Sequence, residues 1–323
     1  MIPHAASTAP SAPITTRRLL EAKGIAGVMQ LVGGEGGLDR WLTHARIQKS
    51  GLGLAGHMHG IVPSRVQIFG ETEVSYLESL PPATRRIRLQ GMFALGMSCV
   101  VVTRGVSPMP ELLEAATETD TPLLVMIPRS SSTIALLHDA LDELLAPRAS
   151  VHGVAVEVYG VGILLEGPSG IGKSECALFL VERGHRLVAD DRVELVRLPQ
   201  RGVRASPPSL LRDHLEVRGL GILNIRALFG ATAVREDVQL DLVVELRPTS
   251  DGESDEDRLG LDTLTKDVLG APLPLLRVPV RPGRDMGVLL EVAARNQLLK
   301  SAGIDAAHEL VRAIDRRALP DDR

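Results

Sequence analysis

Residues 161–191 contain the segments VGILLE (161–166), GPSGIGKS (167–174) and LVADD (187–191), around which the rest of the chain can be interpreted. The middle segment fits the phosphate-loop pattern G-x-x-x-x-G-K-[ST]. Its glycines let successive backbone N–H groups turn inward around a phosphate, and the loop opens a helix whose N-terminal dipole also favours an anion. Lys173 can then reach the terminal phosphates, and the Ser174 hydroxyl can ligate Mg²⁺. The pattern predicts a nucleotide site made of Gly167, Pro168, Ser169, Gly170, Ile171, Gly172, Lys173 and Ser174.

The flanking sequence favours a phosphate loop over the alternative, a glycine turn with no ligand. Residues 161–165 are apolar and predict a buried strand that leads into the loop. Residues 175–183 carry apolar side chains at helical spacing, and Gly184 is placed to end that helix. Strand, loop and helix therefore follow one another in the order that the motif requires.

Asp190 and Asp191 end the next predicted strand, residues 186–189. Phosphoryl transfer from ATP needs a carboxylate near Mg²⁺ and often a second one to orient or deprotonate the acceptor. Consecutive strand residues face opposite ways, so one aspartate can address the metal and the other the acceptor. Adjacent carboxylates also tend to raise each other's proton affinity, which suits a general base. The alternative is a pair of solvated turn aspartates.

Other polar residues are more ambiguous from the sequence alone. His152 lies at the start of an alternating run, 151–159, where a histidine is usually an ordinary strand residue. Glu216 enters a glycine-rich segment and is either a Mg²⁺ ligand or a partner of Arg218. Arg281 and Arg284 flank a Pro-Gly turn and either clamp a phosphate or are solvated. His57 and His59 have no nearby cysteine or carboxylate and make a poor metal site.

Composition limits the class of protein. The 323 residues have room for two domains, and a hydrophobic share of 44% with only 2% aromatic residues predicts aliphatic cores. A formal net charge of −4 gives no reason to expect nucleic-acid or anionic-membrane binding. Both cysteines lie in apolar runs and are expected to be reduced, and no apolar run is long enough to span a bilayer. The protein is therefore expected to be cytoplasmic.

The chain is predicted to be α/β, with an N-terminal domain, 17–147, that contains a parallel sheet. Residues 98–103 and 122–127 predict strands, whereas 110–117 and 131–145 predict helices; this alternation is typical of helices packed on a parallel sheet. Residues 1–16 are rich in Ala, Ser, Thr and Pro and are expected to be a disordered tail. The polar segment 146–150 marks the boundary with a phosphate-loop domain, 148–323.

The motifs together resemble those of the bacterial HPr kinase/phosphorylase family, whose members act on a serine of the phosphocarrier protein HPr. The resemblance covers most of the chain, from about Arg46 onward. It is carried, in this order, by VHGV (151–154), GPSGIGKS (167–174), RGHRLVADDRV (183–193), LEVRGLGILN (215–224), DRLG (257–260) and PVRPGR (279–284).

The resemblance implies a role for each matching position. It implies that Asp191, with Asp190 beside it, is the base that takes the seryl proton and the acid in the reverse reaction. Ser174 and Glu216 become Mg²⁺ ligands. The other residues that it implies to be catalytic are His152, Lys173 and Arg258.

The resemblance also implies cofactors, partners and architecture. ATP and Mg²⁺ serve the kinase, whereas the reverse reaction uses inorganic phosphate, releases pyrophosphate and is tied to residues 280–285. The partners are HPr and five further copies in a homohexamer. The N-terminal domain is expected to resemble part of a peptidoglycan-precursor ligase, and the catalytic domain, with a mixed sheet, the nucleotide-binding core of phosphoenolpyruvate carboxykinase. Pro168 and the acidic segment 249–257 depart from the family pattern.

Two other functions use the same loop. One is a phosphate-loop kinase of small molecules, and the other is a non-catalytic ATP-sensing scaffold. The acidic pair at 190–191 argues against the scaffold.

Overall fold

A computed structural model describes residues 12–248, 264–281 and 283–318, with side chains in the last helix described as far as residue 315. The chain divides into two compact units, the first ending at Ala146 and the second beginning at Pro147. No helix in the described ranges is both long enough and apolar enough to cross a membrane.

The first unit is built from strands and helices that mostly alternate. Its strands are β1 (Ile14–Thr15), β2 (Met29–Gly33), β3 (Trp41–Leu42), β4 (Gln48–Lys49), β5 (Val66–Phe69), β6 (Cys99–Val102) and β7 (Leu123–Met126). Its helices are α1 (Thr16–Leu20), α2 (Gly51–Leu54), α3 (Glu71–Ser79), α4 (Pro82–Phe93), α5 (Pro110–Glu118) and α6 (Ser130–Leu144). The predicted strands at 98–103 and 122–127 and the predicted helices at 110–117 and 131–145 are confirmed as β6, β7, α5 and α6.

Five of these strands form one sheet in the order β2-β7-β6-β5-β4. The pairs from β4 to β7 are parallel, as predicted. The edge strand β2 runs antiparallel to β7, so the prediction of a parallel sheet is wrong at this edge. Cys99 and Val101 lie in one apolar core, while Val100 and Val102 lie in another. Because successive strand residues face opposite sides, the sheet has an aliphatic core on each face.

Residues 14–16, which were predicted to belong to the tail, are part of this unit's fold. Ile14–Thr15 pair antiparallel with Trp41–Leu42, and Thr16 is buried, with its hydroxyl donating to the carbonyl of Ser98 at 3.0 Å. These contacts are non-local, which is why the composition of the predicted tail did not reveal them. Residues 1–11 of the predicted tail lie outside the described ranges.

The second unit is dominated by a nine-stranded mixed sheet, as predicted. The described strands of the whole unit, nine in this sheet and two in a separate hairpin, are β8 (Arg148–His152), β9 (Val154–Val158), β10 (Val161–Glu166), β11 (Arg186–Ala189), β12 (Arg192–Leu198), β13 (Gly202–Ser206), β14 (His214–Val217), β15 (Gly221–Asn224), β16 (Val238–Pro248), β17 (Thr265–Val268) and β18 (Ala271–Val280). Its helices are α7 (Lys173–Glu182), α8 (Ile225–Phe229), α9 (Met286–Ser301) and α10 (Ala306–Ala318).

The phosphate-loop strand β10 lies inside this sheet. The order is β11-β9-β10-β16-β13-β12-β8, with β18 also paired to β16 and β17 to β18, while β14 and β15 form a separate hairpin. β10 is parallel to β16 and antiparallel to β9, with which it forms a hairpin. Helix α7 packs Cys176, Ala177, Leu180 and Val181 into the same core as alternate residues of β10. This packing fixes the two elements that the loop joins.

The predicted polar break at 146–150 is largely a strand. Residues 148–152 form β8, which pairs antiparallel with β12 although none of its residues is buried. A strand that buries no side chain has no apolar signal in its sequence, and here only backbone pairing defines it.

Glu291 of α9 holds the C-terminal end of α7 through a buried carboxylate. It accepts hydrogen bonds from Arg183 Nε at 2.9 Å and Nη2 at 2.7 Å, and its Oε1 lies 2.9 Å from His185 Nε2. The Arg183 hydrogen bonds, together with that of His185 and the charges of both, outweigh burial and lower the pKa of Glu291 to about 2. The ionised carboxylate therefore stabilises the fold.

We expect Glu291→Gln to lower the free energy of unfolding by about 3 kcal/mol near neutral pH, because Arg183 loses its buried counter-charge and His185 loses an ionised hydrogen-bond partner. The native pKa of about 2 lies below the ordinary value of 4.5, so this stabilisation is present above pH 4.5 and is lost between pH 4.5 and 2. Urea unfolding of both proteins across this range measures the effect. Glu236→Gln, which changes an exposed ion pair with Arg212, is the control. Equal acid sensitivity of wild type and Glu291→Gln would contradict the assignment.

Candidate active site

The phosphate loop is formed by backbone conformations that require glycine. Gly167 has φ +145°, and a Cβ there would lie 2.5 Å from the carbonyl oxygen of Leu246 on β16. Gly172 has φ +100° and directly precedes α7, whose first residue is Lys173. Ile171 packs against the apolar core, which fixes the inner side of the loop. The loop therefore joins a buried strand to a buried helix and presents its remaining residues outward.

Lys173 is folded back onto the loop. Its ammonium donates to the carbonyl oxygens of Gly167 at 2.9 Å and Pro168 at 3.1 Å. Burial lowers the pKa of Lys173, and the nearby carboxylates of Asp190, Asp191 and Glu175 oppose that shift. A buried ammonium with acidic neighbours is suited to bind phosphate oxygens that enter beside it.

Asp190 is a buried carboxylate that joins three elements. It follows β11, is 5% exposed, and accepts hydrogen bonds from the Ser174 hydroxyl and from the backbone N–H of Glu216, each at 2.8 Å. Burial raises the pKa of Asp190, while these hydrogen bonds and one from the Asp191 backbone act against the rise. Asp190 thus brings together Ser174 and Glu216, the two predicted Mg²⁺ ligands.

Asp191 points away from this buried contact and is exposed. Its backbone has φ +62°, in the left-handed region that few residues other than glycine, asparagine and aspartate adopt. The carboxylate lies 3.0 Å from Nδ1 of His152. The register of β8 with β12, in which His152 is opposite Arg192, creates this contact. The sequence singled out both residues but could not show that they meet.

Glu216 and Arg218 extend from the β14–β15 hairpin toward the loop. Within the described part of the chain they form no ion pair with each other, which removes the alternative interpretation of Glu216. Arg218 was not predicted as a site residue. Its position in LEVRGLGILN was the available signal, but only the hairpin brings it next to Gly170.

These groups line one cleft whose empty space is about 560 Å³. The side chains that line it include four carboxylates and three basic groups. The cleft-lining residues are His152, Val154, Ser169, Gly170, Gly172, Lys173, Ser174, Glu175, Asp190, Asp191, Glu216 and Arg218. The basic groups are complementary to a polyphosphate, and the carboxylates are complementary to a divalent cation.

The oxygen donors of the cleft fit Mg²⁺. In the described ranges no three His, Cys, Asp or Glu side chains are grouped to hold a metal by themselves. Mg²⁺ usually takes only one or two carboxylates and completes its shell with water and substrate phosphates. The Ser174 hydroxyl with the carboxylates of Asp190 and Glu216 is such a partial set of ligands.

Other predicted residues lie elsewhere. Arg258 and the acidic segment 249–257 are outside the described ranges. Arg281 and Arg284 do not line the cleft; Arg284 lines a separate groove between β18 and α9. The rings of His57 and His59 are 6.3 Å apart and lie in the first unit.

Comparisons with known proteins identify the family. The family model described as HPr Serine kinase N terminus matches residues 14–141, and the model described as HPr Serine kinase C-terminal domain matches residues 143–314. An HPr kinase/phosphorylase of Geobacter sulfurreducens is 43% identical over 86% of this chain and 87% of its own length. The chain belongs to the HPr kinase/phosphorylase family.

Two other proteins with related names are similar to this chain. The enzyme of Geobacillus kaustophilus is 42% identical over 87% of this chain and 90% of its own length. A solved HPr(Ser) kinase/phosphatase from Coxiella burnetii is 32% identical, covering 50% of this chain and 97% of its own, with a TM-score of 0.46. The matches to the two family models show that the chain has the two-domain, mixed α/β architecture of HPr kinases.

Proposed function

We propose that the protein is a bifunctional enzyme that phosphorylates a serine of HPr with ATP and removes that phosphoryl group with inorganic phosphate. The observation that carries this proposal is one cleft that holds the phosphate-loop residues Lys173 and Ser174 together with the exposed carboxylate of Asp191. A loop alone would indicate only nucleotide binding. The family of the chain supplies the identity of the acceptor.

The nucleotide half of the cleft is formed by residues 167–174. Backbone N–H groups and Lys173 bind the phosphates of ATP, and Ser174 and Glu216 would hold Mg²⁺ with Asp190 behind them. Mg²⁺ held there would neutralise charge on the phosphates. Lys173 leaves the carbonyls of Gly167 and Pro168 to reach the transferred phosphoryl group, where it offsets the charge that develops during transfer.

Asp191 is the base in the forward direction. Its carboxylate takes the proton as the seryl oxygen forms its bond to the γ-phosphorus and the bond to ADP breaks. His152, 3.0 Å away, fixes the direction of the carboxylate. In the reverse direction an oxygen of inorganic phosphate attacks the phosphoserine phosphorus. The bond to the seryl oxygen breaks, Asp191 returns the proton, and pyrophosphate leaves.

Further parts of this proposal come from the family resemblance. Arg258 joins Lys173 in neutralising the transferred group, and residues 280–285 serve the phosphorolysis. The protein works as a homohexamer, with a catalytic domain related to the phosphoenolpyruvate carboxykinase core. Sedimentation equilibrium and assays of Arg258→Ala test these statements.

The experiment that tests the function combines the purified full chain with HPr, ATP and Mg²⁺, and detects phosphoserine by mass spectrometry. Phospho-HPr with inorganic phosphate is then followed for pyrophosphate release. HPr with the acceptor serine changed to alanine is the control. No transfer to HPr together with phosphorylation of a metabolite would indicate a small-molecule kinase, and ATP binding without any transfer would indicate a scaffold. Either result would refute the proposal.

A further inference from the structure

The guanidinium group of Arg218 lies directly over the phosphate loop. An ideal Cβ built on Gly170 would be 2.7 Å from Nη1, 2.9 Å from Nη2 and 3.0 Å from Cζ of Arg218. These distances are too short for a real Cβ, so the arginine occupies the space that a side chain at this loop position would fill. Gly170 also has φ +80°, a conformation that suits glycine.

The N–H donors of Arg218 have no partner among the described residues, unlike the polar groups of Lys173 and Asp190 in the same cleft. Lys173 donates to two loop carbonyls, and Asp190 accepts from Ser174 and Glu216. Within the described ranges Arg218 makes no hydrogen bond or ion pair, although four carboxylates line the same cleft. An exposed guanidinium that lies over a phosphate loop, with no carboxylate partner among the described residues, has donors available for an anion in the cleft.

We propose that Arg218 binds the phosphate group that projects beyond the loop. This group is the γ-phosphate of ATP in the kinase direction and, in the reverse direction, the phosphoryl group that moves from serine to inorganic phosphate and becomes the outer phosphate of pyrophosphate. This role rests on the proposed function of the same cleft. The loop amides and Lys173 surround the phosphates seated in the loop, whereas Arg218 approaches from the β14–β15 hairpin. Its planar fork donates two parallel hydrogen bonds to one phosphate, which a lysine cannot do.

The absence of a side chain at Gly170 is part of the same arrangement. It lets the guanidinium come close enough to share a phosphate with the loop backbone. Arg218 therefore acts on affinity for the terminal phosphate, not on the affinity for the rest of the nucleotide.

Calorimetric titration of the full chain with Mg·ATP, Mg·ADP and pyrophosphate tests this role in the absence of HPr. Arg218→Gln is expected to weaken ATP and pyrophosphate binding by about tenfold and leave ADP binding within about twofold of wild type. Arg218→Lys should recover only part of the loss, because it keeps the charge but loses the fork. Arg212→Gln, an exposed arginine outside the cleft that pairs with Glu236, is the control and should bind all three normally.

Two results would overturn the assignment. Unchanged ATP affinity in Arg218→Gln would mean that the guanidinium does not touch the terminal phosphate. Equal losses for ADP and ATP would mean that it supports the loop and not the ligand. The outcome is separable from the proposed function, because a wild-type chain that binds ATP but never modifies HPr would refute the kinase while leaving the Arg218 comparison intact.

Discussion

Asp191→Asn is expected to slow phosphorylation of HPr by about 10²–10⁴-fold while ATP remains bound. The change removes the group that accepts the seryl proton and keeps the size of the side chain. Asparagine also tolerates the left-handed backbone of this position, where φ is +62°, so the local fold should persist. The reverse reaction should slow as well, because the same group returns the proton.

Single-turnover transfer of labelled phosphate, measured beside ATP affinity, separates the chemical step from binding. The matched control is Asp120→Asn, an exposed aspartate of the first unit with φ +49°, which should behave as wild type. Normal turnover by Asp191→Asn would remove the general base from the mechanism. A parallel loss of ATP affinity would instead assign Asp191 to the nucleotide.

The sequence predicted the local parts of this cleft. The phosphate loop is one continuous segment between an apolar strand and an apolar helix, so its order and its residues can be read without knowing any long-range contact. Asp190 and Asp191 follow the next predicted strand, so both could be identified as candidate site residues from their local sequence alone. Burial on both faces of β10 produced the apolar run that identified it.

The features that the sequence did not predict depend on contacts between distant segments. His152 has a partner only because β8 pairs with β12, and β8 itself buries no side chain. Arg218 became a site residue only when the hairpin brought it over Gly170. The composition of residues 12–16 (Ala, Pro, Ile, Thr and Thr) did not indicate that Thr16 is buried and donates to Ser98, 82 positions away. Periodicity reports which residues are buried within an element but carries no information on which elements are neighbours.

The sequence predicted that Asp190 and Asp191 face opposite ways, but not which of them is buried and which is exposed. Alternation along a strand gave them opposite directions. The structure adds that Asp190 is buried and Asp191 exposed, and that the positive φ lies at Asp191. Since only Asp191 is accessible to a visiting protein, the exposures favour it as the residue that meets the seryl hydroxyl.

Asp190→Asn should lower phosphoryl transfer roughly 10²-fold without destabilising the fold. Asparagine can accept from the Glu216 backbone with its oxygen and donate to the Ser174 hydroxyl with its nitrogen, so both present contacts have a replacement. The buried charge disappears, and with it the cost of burial that raises the pKa of Asp190. The melting temperature should therefore stay level or rise. What is lost is the negative charge behind Ser174 and Glu216, so the Mg²⁺ concentration for half-maximal rate should increase.

Asp241→Asn is the matched control for this variant. Asp241 is a partly buried aspartate of β16 whose pKa is also raised by burial and which accepts a hydrogen bond from the Gly162 backbone at 2.9 Å, but it does not line the cleft. Its replacement should leave the Mg²⁺ dependence unchanged. If Asp190→Asn also kept the wild-type Mg²⁺ dependence, or lost activity only through unfolding, Asp190 would be a structural link between α7 and β14. The expected result is instead that Asp190→Asn loses activity, needs more Mg²⁺ and keeps its stability. That result would mean that phosphoryl transfer needs the charge of Asp190, although burying this carboxylate destabilises the fold.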